Sequence, residues 1–227
     1  RQTHFPGING LVKLGANAVL LQAWVPLKSW SLSFNEVAWS LSAEFFFYAV
    51  FPLLIFYWRN SWHWLLLAQA AVVVSTIAIC SVFALPSADT HPGIGFASLM
   101  YFNPLVRLFE FSVGIATAFL VRKIASHQLE LKKIQWFVIE MAAVFSCIFA
   151  LLAAANFSGI QNIFGEATAY YFRRAGLWMV FSLIIGTFAL SRGPITKMLS
   201  AGFMVWLGEF FFSFYMCYAL VFYYVQP

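Results

Sequence analysis

The stretch WSLSAEFFFYAVFPLLIFYW, residues 39–58, decides the fold class of this chain. An apolar run of roughly 20 residues is long enough to cross a lipid bilayer as an α-helix. Glu44 is the charged residue in this run, and a carboxylate at that depth is costly unless it is paired or used. The stretch therefore predicts a membrane-spanning helix and makes Glu44 a candidate functional residue.

The rest of the sequence has the same apolar character. Hydrophobic residues make up 63% of the 227 residues, charged residues make up 9%, and the mean hydropathy is +0.83. A soluble domain carries about 25% charged residues, so this chain could not cover a water-facing surface. We therefore expect a single integral-membrane domain over residues 1–227.

Seven apolar segments follow one another along the chain. Each is near the roughly 20 residues that a membrane helix needs. The first segment is the weakest, because it is short and contains Lys13 and Asn17. The sequence predicts an all-α, polytopic bundle of about seven membrane helices, at residues 10–26, 36–58, 63–85, 103–121, 136–156, 172–191 and 203–225.

Lysine and arginine are concentrated on one side of this predicted bundle. If successive segments alternate in direction, most cations lie on the face that holds the N-terminus, and the positive-inside rule makes that face cytoplasmic. We expect a multi-pass protein of the bacterial inner (plasma) membrane. The net charge of +5 then reflects orientation, and we expect the lipid bilayer rather than nucleic acid as a partner, because no basic run is interleaved with aromatics. These cations are Arg1, Arg59, Arg122, Lys123, Lys132, Lys133, Arg192 and Lys197.

The same topology places several polar side chains at one membrane depth. The second, fourth and sixth segments all begin on the outer side, so residues near their starts share the outer half of the bilayer. Separate lipid-facing positions would be costly for each charge, so we expect these side chains to converge inside the bundle. They are Trp39, Ser40, Glu44, Arg107, Glu110, Arg173 and Arg174.

Spacing alone leaves the roles of these residues open. Ser40, Glu44 and Tyr48 are spaced i, i+4, i+8, which predicts one shared helical face. Glu44 could act as a general base, orient a base, or form a structural ion pair with Arg107. Arg107 could bind a phosphate, a carboxylate or a developing oxyanion through its planar guanidinium. Alternatively, Arg107 could simply pair with Glu110 at i+3.

Other positions have a simpler interpretation. Trp39 could be an interfacial anchor, which is the commoner role of tryptophan at a helix end, or a ring on which a sugar stacks. Glu140 has no evident partner in the sequence. The three cysteines lie in separate apolar runs and form no cluster with histidine, so we expect no metal site.

Three local patterns predict where helices begin or bend. Residues 33–36, Ser-Phe-Asn-Glu, fit a capping box that opens the second helix. Asn103 followed by Pro104 fits an N-cap with proline at the first helical position. Pro52 lies inside the second helix and is expected to kink it near Tyr48.

The motif NEVAWSLSAEFFFY (35–48), followed by FPLL (51–54), closely resembles the hallmark of membrane-bound acyltransferase family 3, which contains sugar O-acetylases and related enzymes. The stretch FNPLVRLFEFSVG (102–114) is similar to the asparagine–proline, arginine and phenylalanine-x-x-glycine pattern of that family. NAVLLQAWVP (17–26) and WLGE (206–209) resemble its preceding and C-terminal helices. The first motif is specific, and the other three are supportive.

This resemblance implies transfer of an acyl group, usually acetyl, to a hydroxyl of a cell-surface or exported glycan. The donor substrate would be acetyl-CoA or another acyl-CoA, used from the cytoplasm without a metal. Acyl transfer from a thioester needs a base for the hydroxyl and donors for the oxyanion, roles that suit Glu44 and Arg107. The other residues assigned to the substrate site are Asn35, Trp39, Ser40, Tyr48 and Glu110.

The resemblance also implies that this chain lacks one catalytic residue of the family. The catalytic histidine of the family would lie upstream of Arg1, so we expect an N-terminally truncated fragment that is inactive by itself. Phe211 and Tyr218 stand where family members often have serine and histidine. These differences weaken any role of the last helix in proton handling.

Two other functions are compatible with buried charges. In a transporter or flippase-like protein the charges would line a substrate path, and discontinuous helices in matching halves would favour that reading. Only the segment with Pro52 is clearly interrupted, and no second copy of it is evident. The third possibility is a non-catalytic partner subunit.

Overall fold

The computed structural model describes residues 8–88, 91–127 and 131–225, without the side chains of Ile8, Phe157, Phe212, Met216 and residues 218–225. Arg1 and the side chain of Tyr218 therefore lie outside the described part. Within it the regular structure is entirely helical. The helices are α1 Ile8–Ala18, α2 Lys28–Ser31, α3 Ala38–Val82, α4 Pro104–Ala125, α5 Lys133–Ala155, α6 Phe157–Phe164, α7 Glu166–Arg174, α8 Trp178–Leu190, α9 Pro194–Leu199 and α10 Gly202–Val225.

Four helical stretches among the described residues are long and apolar enough to cross a membrane. They are Ala38–Val82, Ala97–Ala125, Lys133–Ala155 and Glu166–Leu190. Their outer surfaces carry large apolar side chains, and Phe56, Val82 and Phe149, for example, are 77%, 79% and 74% exposed. A surface of this kind would be a liability in water. Both features indicate a membrane protein of all-helical fold with four candidate spanning stretches among the described residues, and the predicted count of seven spans is not shown.

Helix α3 is two helices joined at a sharp break. Ser61 has non-helical dihedral angles (φ −136°, ψ 18°). A straight helix of these 45 residues would extend about 68 Å, more than twice the thickness of a bilayer core. Trp39 and Cys80, from opposite ends of α3, nevertheless belong to one buried cluster. The chain therefore reverses at Ser61, and the predicted segments 36–58 and 63–85 become the two arms of a helical hairpin.

The predicted first span, residues 10–26, is not a continuous helix. Helix α1 has 11 residues, about 16 Å, and is followed by Leu20 in a left-handed conformation (φ 57°) and a 3₁₀ turn at Gln22–Trp24. Asn17 donates to the carbonyl of Lys13 and to Ser33 Oγ, at 2.8 Å in each case. These bonds tie the end of α1 to a neighbouring turn, and a helix of this length cannot span the bilayer.

The relative directions of the helices agree with the predicted alternation. Ring contacts advance along the first arm of α3 and along α4 together: Trp39 with Phe102, then Phe47 with Phe111, then Trp58 with Phe119. These two elements therefore run parallel. Helix α8 runs parallel to α4 as well, because Phe109 contacts Trp178 and, further along, Thr117 lies beside Gly186.

The local predictions of helix ends had mixed outcomes. Asn103 Oδ1 accepts from the Leu105 amide at 2.9 Å and Pro104 is the first residue of α4, so this N-cap is confirmed. The capping box at residues 33–36 is wrong, because α3 begins at Ala38 and has no side-chain cap. Asn35 Oδ1 instead accepts from the Val37 amide and forms the turn before the helix.

The kink expected at Pro52 does not appear as a break in the helical dihedral angles. Helix α3 continues through Pro52, and the non-helical residue recorded within it is Ser61. Proline removes one backbone hydrogen bond, a loss that membrane helices tolerate when neighbouring helices support them. Leu54 and Phe47 pack this part of α3 against α4.

Candidate functional site

A π-helical turn at Ala97–Tyr101 leads into α4 and positions the centre of the candidate site. π turns are rare and often occur at functional sites. Phe96, directly before this turn, and Met100, within it, are buried, with exposed fractions of 3% and 1%. The turn therefore presents Tyr101 and Phe102 on a rigid base immediately before the Asn103 cap.

Arg107 is held between aromatic rings from two elements. Its guanidinium carbon lies 5.8 Å from the centre of the Trp39 ring and 5.2 Å from that of Tyr101. The two rings contact each other, with centroids 4.8 Å apart. A cation over an aromatic face gains about 2 kcal/mol when water is excluded. Trp39, which is 8% exposed, thus helps to fix Arg107 instead of serving as a free interfacial anchor.

Glu110 completes the immediate surroundings of Arg107. The Nη1 atom of Arg107 donates to Glu110 Oε1 at 2.6 Å, and the two side chains are 20% and 24% exposed. The predicted intrahelical pair at i, i+3 is therefore confirmed. It engages one of the five N–H donors of the guanidinium.

A second arginine approaches the same tyrosine from α7. The guanidinium carbon of Arg174 lies 5.8 Å from the centre of Tyr101 and 5.9 Å from that of Tyr170. Side chains from α3, the π turn, α4 and α7 thus meet at one level, and the expected convergence is confirmed for the four of them that the sequence singled out. We call this group the arginine–aromatic cluster: Trp39, Tyr101, Arg107, Glu110, Tyr170 and Arg174.

Two hydroxyls buried near the cluster make no hydrogen bond among the described residues. Tyr171, which is 4% exposed, lies within electrostatic range of Arg107 and Glu110, and the Trp178 indole approaches it without good hydrogen-bond geometry. Ser112 is fully buried on α4. Leaving a buried hydroxyl unpaired costs about 1–3 kcal/mol. Polar atoms in this condition mark places where a bound molecule or water can restore the missing bond.

Glu44 lies one turn and a half beyond Trp39 on α3 and is half-buried. In the part of the chain that the structure describes it forms no ion pair, and Arg107 pairs with Glu110 instead. The alternative of a structural pair between Glu44 and Arg107 is therefore wrong. Glu44 is left as a carboxylate available to a ligand or a proton.

The remaining predicted site residues serve the start of α3 or face outward. Ser40 Oγ donates to the Val37 carbonyl at 2.9 Å, and Asn35 forms the preceding turn. Tyr48 shares a helical face with Ser40 and Glu44, as predicted, but its side chain is 69% exposed. None of these three hydroxyl or amide groups contributes to the arginine–aromatic cluster.

Sequence reasoning missed Gln22, whose side chain is fully buried beside the site. Its Nε2 atom donates to the Ala38 carbonyl at 2.9 Å, while its Oε1 atom has no hydrogen-bond partner among the described residues. Ser42 Oγ donates to the Leu20 carbonyl at 2.5 Å. These bonds hold the 3₁₀ turn against the first turns of α3. A polar residue in an apolar run, Gln22, was the available signal.

Glu140, which has no evident partner in the sequence, is fully buried and fully bonded. It accepts from Ser191 Oγ and Thr196 Oγ1 at 2.6 Å each, and from the Ile195 and Thr196 amides at 3.0 Å each. A Cβ atom at Gly193 would collide with its carboxylate. We call this arrangement the Glu140 socket; its partners are 51 to 56 residues away in sequence, which is why spacing did not reveal them.

Comparison with known proteins gives one informative match. Among curated proteins, the chain is 36% identical over 115 residues to the acyltransferase MdmB of Streptomyces mycarofaciens. The matched region covers 46% of this chain and 28% of that protein. No protein-family model matches the chain, and no solved structure matches it. The match indicates an acyltransferase relationship and therefore a transferase, and it does not favour a transporter.

The described residues contain no group of three His, Cys, Asp or Glu side chains that could hold a metal ion. What the arrangement offers is fixed positive charge, aromatic surface and an available carboxylate. These are groups suited to binding an anionic or polarised ligand and to stabilising charge that develops during a reaction.

Proposed function

We propose that this protein contributes the membrane-embedded polar site of an O-acyltransferase. The enzyme would move an acyl group, usually acetyl, from acyl-CoA to a hydroxyl of a cell-surface or exported glycan, as a multi-pass protein of the bacterial inner membrane. The observation that carries the proposal is Arg107, a guanidinium held by Trp39, Tyr101 and Glu110 in the interior of a chain related to an acyltransferase.

Arg107 suits the stabilisation of the oxyanion. Attack of a hydroxyl on the thioester carbonyl forms a tetrahedral intermediate whose oxygen carries negative charge, and its collapse expels the CoA thiolate. Arginine stays protonated at any working pH, and its fork of donors is rigid. With one Nη1 donor on Glu110 and the ring faces of Trp39 and Tyr101 holding the plane, the remaining donors are preorganised.

Glu44 suits the handling of the acceptor proton. A carboxylate without a hydrogen-bond partner among the described residues is free to orient a base or to take the proton of the attacking hydroxyl. Ser40 and Tyr48 lie on the same helical face, and Asn35 precedes it. We assign this face, with Trp39 and Glu110 behind it, to the acceptor sugar.

The proposal is tested by acetyl transfer in membranes that contain the intact gene product. Membranes are incubated with radiolabelled acetyl-CoA, and label is counted in the glycan fraction. We expect incorporation to fall about 10²–10³-fold for Arg107→Gln, as when an oxyanion donor is removed. Arg59→Gln, an exposed arginine at the α3 reversal, is the matched control and should retain activity.

Two results would contradict the proposal. Equal incorporation by the wild-type protein and Arg107→Gln would exclude Arg107 from the chemistry. Incorporation that does not depend on acetyl-CoA, or on any acyl-CoA offered in its place, would exclude the donor.

A further inference from the structure

A long apolar groove lies between α4, α5 and α8, at the opposite end of α4 from the arginine–aromatic cluster. Its volume is about 440 Å³, within the usual range of ligand sites. Its lining is mostly apolar, with Leu120, Ile139 and Leu183 among the apolar residues, and it also includes the hydroxyl residues Thr117, Ser182 and Thr187. Gly186 forms the floor, where Thr117 Cγ2 and Val121 Cγ2 approach to 3.4 and 3.6 Å of the position that a Cβ atom would occupy.

The groove opens onto a basic rim. A hollow of about 230 Å³ shares Trp136 and Leu190 with the groove and extends to Arg192. Arg192 in turn borders a pocket of about 400 Å³ that Lys133 and Lys197 also line. Neighbouring spaces thus share lining residues, and in this order the lining changes from mostly apolar to cationic.

The cations of this rim are exposed and form no ion pair within the described ranges. Two of them lie on the segment that the Glu140 socket fixes, Arg192 in the turn after α8 and Lys197 in α9. Arg192 follows Ser191, and Lys197 follows Thr196, both of which donate to Glu140. Their backbone positions are thus set before any ligand binds, which lowers the entropic penalty of binding.

We propose that this groove binds one anionic glycerophospholipid. One acyl chain would lie between α4, α5 and α8, and the headgroup phosphate would lie among Lys133, Arg192 and Lys197. Basic pockets between membrane helices are complementary to anionic headgroups. Because an acyl chain gains little by leaving lipid for an equally apolar groove, the charge on the headgroup decides which lipid is selected. This inference concerns a site separate from the proposed acyl transfer.

Native mass spectrometry of the full-length protein in detergent tests the proposal. The protein is titrated with dioleoyl phosphatidylglycerol or, in a parallel series, with dioleoyl phosphatidylcholine. We expect one tightly retained phosphatidylglycerol. The double substitution Arg192→Gln and Lys197→Gln should lower its occupancy about tenfold, while the control Arg59→Gln leaves it unchanged.

A second pair of variants tests the groove itself. Leu183 lines the groove and is 51% exposed, so the larger side chain of Leu183→Trp has room to occupy the groove. Phe181→Trp is the matched control, since Phe181 is 48% exposed on the same helix and does not line the groove. We expect Leu183→Trp to abolish retention of the lipid and Phe181→Trp to preserve it.

The opposite results overturn the inference. Unchanged lipid occupancy in the double variant would show that Arg192 and Lys197 do not bind the headgroup. Unchanged occupancy in Leu183→Trp would show that the acyl chain does not lie in the groove. Equal retention of phosphatidylglycerol and phosphatidylcholine would show that the site does not select lipids by charge. Displacement of phosphatidylglycerol by equimolar palmitoyl-CoA would assign the groove to the acyl donor and not to a lipid.

Discussion

Glu140, in its socket, and Glu44, on the face of α3 that also carries Ser40 and Tyr48, have the same carboxylate group in opposite surroundings. Both are glutamates in helices apolar enough to cross a membrane. Glu140 is fully buried and accepts four hydrogen bonds. Glu44 is half-buried and pairs with no cation in the part of the chain that the structure describes. A carboxylate that is already satisfied has little left to offer a ligand, whereas an unsatisfied one does.

This comparison separates structural from functional acids in a membrane protein. An intramembrane acid is costly, so each must have a reason to persist. The reason for Glu140 is visible in its donors, which join α5 to the turn between α8 and α9. Nothing of that kind is visible for Glu44, and a role in binding or chemistry is the explanation we propose.

The largest effect is expected from breaking the Glu140 socket. Glu140→Ala leaves two hydroxyls and two amides without their acceptor, and because each buried donor left unpaired costs about 1–3 kcal/mol, we expect stability to fall by at least about 3 kcal/mol. Thermal unfolding in detergent, followed by size-exclusion chromatography, measures it. Gly193→Ala should be similarly destabilising because the added Cβ collides with the carboxylate. A melting temperature unchanged by both would show that the socket contributes nothing.

Arg107 should show the converse pattern, a loss of activity with little loss of fold. Arg107→Lys keeps the charge but loses the planar fork and the ring stacking, so we expect acetyl transfer to fall about 10²-fold. The melting temperature should move less than it does for Glu140→Ala. Full activity in the lysine variant would mean that charge alone matters at this position.

Glu44→Gln provides the sharpest contrast with Glu140. Because Glu44 forms no hydrogen bond or ion pair with any residue that the structure describes, stability should change by no more than about 0.5 kcal/mol. Acetyl transfer should fall about 10²-fold if the carboxylate handles a proton. Glu209→Gln, an exposed glutamate on α10, is the matched control. If the Glu44→Gln protein is destabilised but active, Glu44 has a structural role like that of Glu140.

The smallest effect is expected at the cap of α4. Asn103→Ala removes the acceptor for the Leu105 amide and should cost about 1 kcal/mol of stability. Asn162→Ala, at an exposed asparagine inside α6 that caps no helix, serves as the comparison. If Asn103→Ala also lowers acetyl transfer, the cap contributes to placing Tyr101 as well as to stability.

Features that depend on residues close together in sequence could be predicted from the sequence. The Asn103–Pro104 start, the Arg107–Glu110 pair and the alternating helix directions follow from local chemistry and charge. The partners of Glu140 did not follow, because they are distant in sequence and two of them are backbone amides. The broken first segment depends on a bond between Asn17 and Ser33, and the place of Tyr101 depends on a π turn. Neither the Asn17–Ser33 bond nor the π turn produces a periodic pattern of residues in the sequence.

The reversal of α3 at Ser61 bears on how the chain enters the bilayer. Its two arms are adjacent in sequence, so they can associate as soon as both have left the ribosome. Arg59 and Asn60, both exposed, lie beside the reversal. In the orientation that the positive charges predict, a pair that inserts together would leave those polar groups on the side where synthesis occurs, and no charge at the bend would have to pass through hydrocarbon. The hairpin would then provide the first surface on which α4 and α7 assemble.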